Sequence, residues 1–418
     1  RTIMNDVLDN IKPGKMVAVN HMVEVQVIVI GPKLSELTAT ADYLENAIIG
    51  GLKVPKFLLG KEKQFNRACY SEDTLTLTEN GWKYYWEIKQ GERIATYNPD
   101  TKAIEFHAPE KFYLYDYEGE MIHFTAQGVD VLVSPEHRMY YHTNSGLKGG
   151  HWRVKQAQEI EYLKRLTFLA GGEWKGEEVA YHTLPFADRS KYHRPQLELA
   201  LEMDTWLEFL GYFISEGGLS DIGNRGGKTD IRHNFLTIAQ KDQYNAAKIQ
   251  SSLDKLRMPY TRYDYANISR FNVRGGKQLW EHLKGTVGGG CYEKRIPRDY
   301  LKLSRRQLRI LFDALMLGDG TIDHKQGSTH MTYYTTSEGL AYDMQEVAMK
   351  LGYFARIRKT IDKRGGNRHP IFRVQMSAGI LKSISKRYRN NIQREHYKGK
   401  IYCFEVKNHL FITHPTQS

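Results

Sequence analysis

Two acidic side chains, Glu216 and Asp319, hold the same place in two similar stretches of the chain. Glu216 ends the run FLGYFISEG (209–217), and Asp319 ends FDALMLGDG (312–320). Each run is apolar, contains small residues and closes on glycine, so each reads as a helix with a C-terminal glycine. A carboxylate at that end faces the negative pole of the helix dipole, at a cost of about 0.3–1 kcal/mol. A bound cation reverses the sign. Gly211, Ala314 and Gly318 would let two such helices touch and bring their acidic ends together. Two adjacent carboxylates holding Mg²⁺ against a phosphodiester suit a nuclease. Either run taken alone is better read as a buried, leucine-rich helix with a glycine cap, because such helices are common.

The pair is set apart by the residues downstream of each copy. After the first come LTIAQ (236–240) and a helical spacing of Ala246, Ile249, Leu253 and Leu256; after the second come TYYTT (332–336) and Leu340, Met344, Val347 and Leu351. Strand-like YTRYDY (260–265) and FARIRK (354–359) come next, then RFNVRGGKQLWEHL from Arg270 and IFRVQMSAGILKSI from Ile371, each expected to be a strand running into a helix. This is an internal duplication. Over residues 200–385 it resembles the LAGLIDADG homing endonucleases in their single-chain, two-repeat form, although neither copy matches the name motif letter for letter. The resemblance implies a pseudo-twofold αββαββα domain acting as a monomer on a long double-stranded DNA site. It makes Glu216 and Asp319 the Mg²⁺ ligands and catalytic acids, one for each DNA strand, and Lys294 in EKRIP a candidate active-site lysine. Basic residues on or beside the expected strands are the DNA-binding candidates: Arg262, Arg270, Arg274 and Lys277 in one half, and Arg356, Arg358, Lys359, Lys363, Arg364, Arg368 and Arg373 in the other. Strand alternation would put many of them on one sheet face, laid in a major groove.

Composition is compatible with this. The 418 residues carry a net charge of +12, which favours a polyanionic partner, and 41% hydrophobic content is ordinary for a globular chain. Three scattered cysteines with no CxxC argue against a disulfide framework or a zinc site. No run of about 18 apolar residues exists, so no membrane span is expected.

Residues 1–68 read differently: a strand over 22–31, a helix over 34–49, and VPKFLLGKEKQFNRA. This last stretch resembles the helix-entry segment of tailed-phage portal proteins, except that the threonine expected after Ala68 reappears only at Thr416. Between them lies a block that opens with Cys69, continues through β-type patterns at 69–98 and 119–141 with SPEH at Ser134–His137, and closes with the strand-rich KGKIYCFEVKNHLFITH (398–414). This arrangement resembles an intein, a β-rich Hint-type self-splicing domain with a homing endonuclease inserted in it. The resemblance implies that the Cys69 thiol attacks the Ala68 carbonyl to give a thioester. His137 protonates the leaving nitrogen, since imidazole titrates near neutrality, and Ser134 hydrogen-bonds the junction. The Thr416 hydroxyl then takes over the upstream segment, helped by Cys403, while His409 and His414 polarise the downstream junction. Cys403 reads equally as a small buried hydrophobe. The family normally ends in His-Asn, whose amide cyclises to release the block. Pro415 stands there instead, so splicing has decayed, the chain has been altered, or release takes another route.

The expected architecture is therefore α+β. A portal-like flank (1–68) precedes a splicing segment (69–165), the endonuclease (166–388), a second splicing segment (389–415) and a downstream stub (416–418). Residues 150–200 read as a connector with a surface helix. The expected cofactor is Mg²⁺. The expected partner is double-stranded DNA carrying the uninterrupted target, with the flanks joining a portal oligomer after splicing. The expected setting is the cytoplasm of a phage-infected or prophage-bearing bacterium. The rival readings are a structural portal protein with an inert insert, and a non-cleaving DNA-binding protein built on the same repeat.

Overall fold

The computed structural model describes residues 17–18, 24–25 and 68–415, apart from 127, 144–149, 164, 186–198, 224–231, 275, 326–327, 363–368 and 386–390. The chain divides into two units, 1–67 and 68–418. In the first, β1 (Val17–Ala18) pairs antiparallel with β2 (Glu24–Val25). The rest of the strand and helix expected there lies outside the described residues.

The second unit opens with β3 (Tyr70–Ser71), β4 (Thr74–Thr78), β5 (Gly81–Lys83), β6 (Ile94–Tyr97), β7 (Ile104–His107), β8 (Lys111–Ala126), β9 (Val129–Val133) and β10 (Arg138–His142). It continues with β11 (Trp152–Gln156), the single turn α1 (Ala157–Ile160) and β12 (Arg165–Leu169). The surface helix expected over this last stretch is thus mainly strand. After β13 (Tyr181–Leu184) and β14 (Leu199–Glu202) the duplication begins. Its first copy is α2 (Met203–Glu216), β15 (Gly217–Gly223), β16 (Arg232–Gln240), α3 (Gln243–Lys255), β17 (Tyr260–Tyr265), β18 (Ile268–Val273) and α4 (Gly276–Thr286). Its second is α5 (Arg305–Asp319), β19 (Gly320–Lys325), β20 (Ser328–Thr335), α6 (Glu338–Lys350), β21 (Tyr353–Asp362) and β22 (His369–Ala378). The chain closes with β23 (Leu381–Ser385), β24 (Ile392–Glu405) and β25 (Thr413–Pro415).

The two copies make equivalent antiparallel sheets, in the orders β15-β16-β18-β17 and β19-β20-β22-β21. Their helices start where the sequence supplies oxygen caps. Asp242, Ser304 and Ser337 accept from the backbone N–H of Asn245, Gln307 and Leu340. Leu236, Ile238, Phe271 and Val273 of one sheet, and Met331, Tyr333, Val374 and Met376 of the other, are buried in one core with α2 and α5. The copies differ after their last strands. Among the described residues no helix comes after β22: the expected ILKSI helix is β23, which pairs with β12 (Leu166↔Ile384). Its exposure alternates down to a buried Ile384, which suits a two-faced strand and not a helix.

Two further β-layers complete the unit, with Cys403 in β24 and Cys69 next to β3. β24 runs alongside β8 from Lys111↔Glu405 to Phe124↔Ile392, and with β3 and β9 these strands close a barrel. A second sheet has the order β25-β4-β6-β7, with β5 on β4. The sheet β11-β10-β12-β23 joins strands from both sides of the domain boundary expected at 165/166.

Helices α2 and α5 touch along small residues. A Cβ on Gly211 would come within 2.5 Å of the Ala314 Cβ, and one on Gly318 would collide with Ser215. Ser215 Oγ donates to the Leu315 carbonyl at 3.2 Å. The helices do not end in left-handed glycines as the sequence suggested. Gly217 and Gly320 are extended, with φ −85° and −102°, and pass directly into strands. They are needed because a Cβ there would strike Phe213 and Met316 one turn back.

Gly→Ala inside a helix favours folding by up to about 1 kcal/mol through propensity. Overpacking costs about 1–3 kcal/mol. We therefore expect Gly211→Ala and Gly318→Ala to be net destabilising by about 1–2 kcal/mol. Urea denaturation measures it, and a higher midpoint in either variant would refute the tight contact.

Candidate functional site

The contact between α2 and α5 carries Glu216 and Asp319 to adjacent helix ends. Both carboxylates are about half-buried. Burial, reinforced by the Glu216 charge and opposed by Lys294, pushes Asp319 up to about 7. Burial likewise raises Glu216, against the hydrogen bond from Gln240 and the Lys294 charge. Negative charge is therefore disfavoured here, at the ends of two helices whose C-termini already carry it.

Lys294 is the cation in contact with this end. It is buried, and its ammonium donates to the carbonyls of Ile214 (2.6 Å), Gly217 (2.8 Å) and Phe213 (3.2 Å). It therefore closes the last turn of α2 as well as facing the acids. Burial lowers its pKa, and Asp319 and Glu216 pull it back. Two residues of this site escaped the sequence reading. Gln240 Nε2 donates to Glu216 Oε1 at 3.2 Å, and the Tyr333 hydroxyl lies 3.4 Å from Ser215 Oγ. Gln240 closes LTIAQ, and a polar residue ending a buried strand was the available signal.

No group of three or more His, Cys, Asp or Glu that could hold a metal occurs among the described residues. Mg²⁺ needs no such cage. It takes one or two carboxylates and completes its shell with water and phosphate oxygens. A raised-pKa pair of carboxylates fits that demand.

The basic candidates divide by strand register. Arg270 and Arg274 are exposed on the sheet face away from Phe271 and Val273. Arg356, Arg358 and Arg373 share the corresponding face of the other sheet. Arg262 does not join them. Opposite Phe271 in register, it turns to the helix side, donates to Gln250 Oε1 at 2.6 Å and lies 5.5 Å over the Phe271 ring. Lys359, opposite Phe372, likewise lies over that ring. Lys277 is on α4, ion-paired with Glu281 at 3.2 Å. Alternation sends odd and even residues to opposite faces, and sequence alone did not say which parity faced the helices. Lys363, Arg364 and Arg368 lie outside the described residues.

The second constellation surrounds the Ala68–Cys69 bond. Cys69 is buried, and its amide N–H donates to Ser134 Oγ at 3.0 Å. Ser134 N–H donates back to the Cys69 carbonyl. The His137 ring is hydrogen-bonded to the Ala68 backbone, in the sense that favours its proton, so the partner is the carbonyl oxygen. Burial outweighs that bond and lowers the His137 pKa to about 4. At neutral pH the ring is therefore an uncharged N–H donor, a weaker acid than its expected role assumed. A cavity of about 560 Å³ is lined by Ala68, His137, Cys403, His409 and His414, so tertiary structure gathers five of these positions. Burial pushes the Cys403 thiol up to about 12, which keeps it protonated. His414 and Pro415 sit on β25, opposite Leu75 and Thr74. Thr416 lies outside the described residues. Among the described residues no helix is long and apolar enough to cross a membrane.

A family model described as a LAGLIDADG-like domain matches residues 304–402. The chain is similar to an ATP-dependent Clp protease proteolytic subunit of Chlamydomonas moewusii, at 26% identity over 69% of this chain and 28% of that one. It is also similar to the ATP-dependent DNA helicase Hel308 of Thermococcus kodakarensis (23% identity, 81% of this chain, 35% of that one). A third relative is the ribonucleoside-diphosphate reductase subunit beta of Aquifex aeolicus (20% identity, 82% and 48%). The chain thus spans less than half the length of these curated relatives. Among solved structures, I-DmoI in complex with DNA and Mn aligns at 16% identity with a TM-score of 0.31, covering 42% of this chain and 90% of that one. Full-length DUF199/WhiA from Thermatoga maritima aligns at 9% identity with a TM-score of 0.27, covering 41% and 50%. The chain carries a LAGLIDADG-like domain.

Proposed function

We propose that the duplicated helix–sheet part is a site-specific double-strand DNA endonuclease, and that the β-rich remainder is an intein that carries it inside a host protein. The observation that carries the nuclease is the convergence of Glu216 and Asp319 at the touching ends of α2 and α5. Bound Mg²⁺ would supply charge stabilisation at the phosphate and a more acidic water. The chain's own part is positional. The two carboxylates would hold the ion, Lys294 and Gln240 fix the end of α2, and the arginine-bearing sheet faces seat the duplex.

A second observation supports splicing: Ser134 and His137 grip the two sides of the Ala68–Cys69 bond. The Cys69 sulfur attacks the Ala68 carbonyl carbon, the C–S bond forms as the C–N bond breaks, and the thiol proton passes to the freed amine. His137, donating to the carbonyl oxygen, stabilises charge that develops there. The relatives add support. By name, a protease subunit, a helicase and a reductase subunit share no activity, yet each matches this chain over less than half its length, as proteins that carry a common insert would. The host reading rests on VPKFLLGKEKQFNRA and Thr416 and is a phage portal-like protein.

Asp319→Asn and Glu216→Gln should abolish Mg²⁺-dependent cleavage of a target duplex while leaving DNA affinity within a few-fold. Because Asp319→Asn removes a buried, repelled charge, it should also raise the Tm in EDTA by a few degrees, the shift that about 1 kcal/mol produces. Undiminished cleavage by the double variant would sink the assignment.

For the junction, dithiothreitol should release residues 1–68 and leave Cys69–Ser418 as one fragment, because Pro415 has no side-chain nitrogen with which to free the downstream end. Cys69→Ala should release nothing. Intact mass reads both. Ligated product from the unaltered chain would show that proline is no barrier, and no thiol-dependent release would show the first step to be dead.

A further inference from the structure

Cys69 and Cys403 come from opposite ends of the second unit and meet in one strand pairing. β24 and β3 run antiparallel, with Ile401 opposite Ser71 and Tyr402 opposite Tyr70. One step further along that register sets Cys403 opposite Cys69, the residue before β3. Alternation puts both cysteines on the side of Ile401 and Ser71, away from Tyr402 and Tyr70. The packing agrees. Cys69, Met121 and Ile401 form one buried cluster with Cys403 against it, whereas Tyr402 belongs to another with Tyr70 against it. Directly opposed residues of an antiparallel pair have Cα atoms about 4.5–5.5 Å apart, and a disulfide accepts about 4.4–6.8 Å. Both residues are thiols in this structure, Cys69 buried and Cys403 partly exposed. Cys403 lines the cavity beside Ala68 and His137, and its Sγ makes a weak bond to the Phe404 carbonyl at 3.7 Å. Cys291, the third cysteine, lies in the segment between α4 and α5, outside this cluster.

We propose that Cys69 and Cys403 are a reversible disulfide site, oxidised by low-molecular-weight disulfides, and that the oxidised chain is blocked at the first step of splicing. The site stands on strand register; the block rests on the reading of Ala68–Cys69 as a splicing junction. The Cys403 sulfur, which faces the cavity, loses its proton and attacks one sulfur of the reagent, expelling one small thiol. The Cys69 sulfur loses its proton in turn and attacks the Cys403 sulfur of this mixed disulfide, expelling the second. Two protein thiols are oxidised, the reagent takes both electrons and both protons, and one S–S bond replaces another. Burial holds the Cys403 thiol protonated, so the exchange is slow. Once its sulfur is bonded to sulfur, Cys69 has no thiolate with which to add to the Ala68 carbonyl. A reducing thiol or phosphine restores it.

The test is long incubation of the full, unaltered chain with hydroxyethyl disulfide, followed by alkylation, digestion without reduction and peptide mapping by mass spectrometry. One pair of peptides should be joined through Cys69 and Cys403, with the loss of two hydrogen atoms, and should separate when a phosphine is added. Hydroxylamine cleaves thioesters and leaves disulfides intact, so it reads the junction separately. It should release residues 1–68 from the reduced chain, release nothing from the oxidised chain, and release them again after the phosphine. Cys403→Ser should give no joined pair, and its release by hydroxylamine, at whatever level, should not respond to the oxidant. Absence of the joined pair from the unaltered chain would overturn the site. A joined pair with undiminished release would overturn the block. A joined pair in a chain from which hydroxylamine releases nothing even when reduced would uphold the site and overturn the splicing reading instead.

Discussion

The close approach of α2 and α5 is the contact on which the centre of this molecule depends. Gly211 against Ala314, and Gly318 against Ser215, leave no room for larger side chains. The helices consequently end together. Because Gly217 and Gly320 pass straight from helix into strand, the contact also fixes where both sheets begin. One packing constraint thus sets the core, the spacing of Glu216 and Asp319, and the relation of the two arginine-bearing faces.

That arrangement is electrostatically costly, and the surrounding structure concentrates its compensation nearby. Two helix C-termini and two carboxylates share one place, and Lys294 is brought to it from the segment between the copies. That segment is itself held firmly. Arg295 and Arg298 pair with the buried Asp343 and Glu346 of α6, Lys350 pairs with Glu346, and Ser337 Oγ donates to the Lys294 carbonyl. Buried ion pairs are weak evidence of net stability, because desolvation offsets their attraction. Their hydrogen bonds nevertheless anchor the backbone next to Lys294.

The second copy of the repeat packs against the β-layers. Met349 of α6 packs with Leu77, Ala95 and Ile104 of the β-layers, and Phe354 and Arg356 of β21 line the cavity that holds Ala68 and His137. Lys350 lies 4.1 Å over the Trp174 ring and 5.6 Å over Phe106. The pairing of β24 with β8 brings residues near 400 back to those near 115, and so assembles Cys403, His409 and His414 around a bond at the start of the same unit.

The duplication, the two helix–strand–strand patterns and the equivalent positions of Glu216 and Asp319 are legible in the residues alone. These are local periodicities with caps and small residues at fixed places, and they survive without knowledge of the fold. Motif resemblance also marked Cys69, Ser134 and His137. Tertiary structure decided the rest. Parity along a strand is invisible until its partner is known, so Arg262 and Lys359 turned to the helix side while Arg270 and Arg358 did not. ILKSI has short apolar spacing that suits helix or strand, and the vacant edge of β12 settled it as β23. The acidity of His137, Cys403 and Asp319 follows from burial, which residue type does not reveal. Lys294 was recognisable as a candidate, but only the fold showed its ammonium closing the last turn of α2, because that bond joins residues about eighty positions apart in the chain.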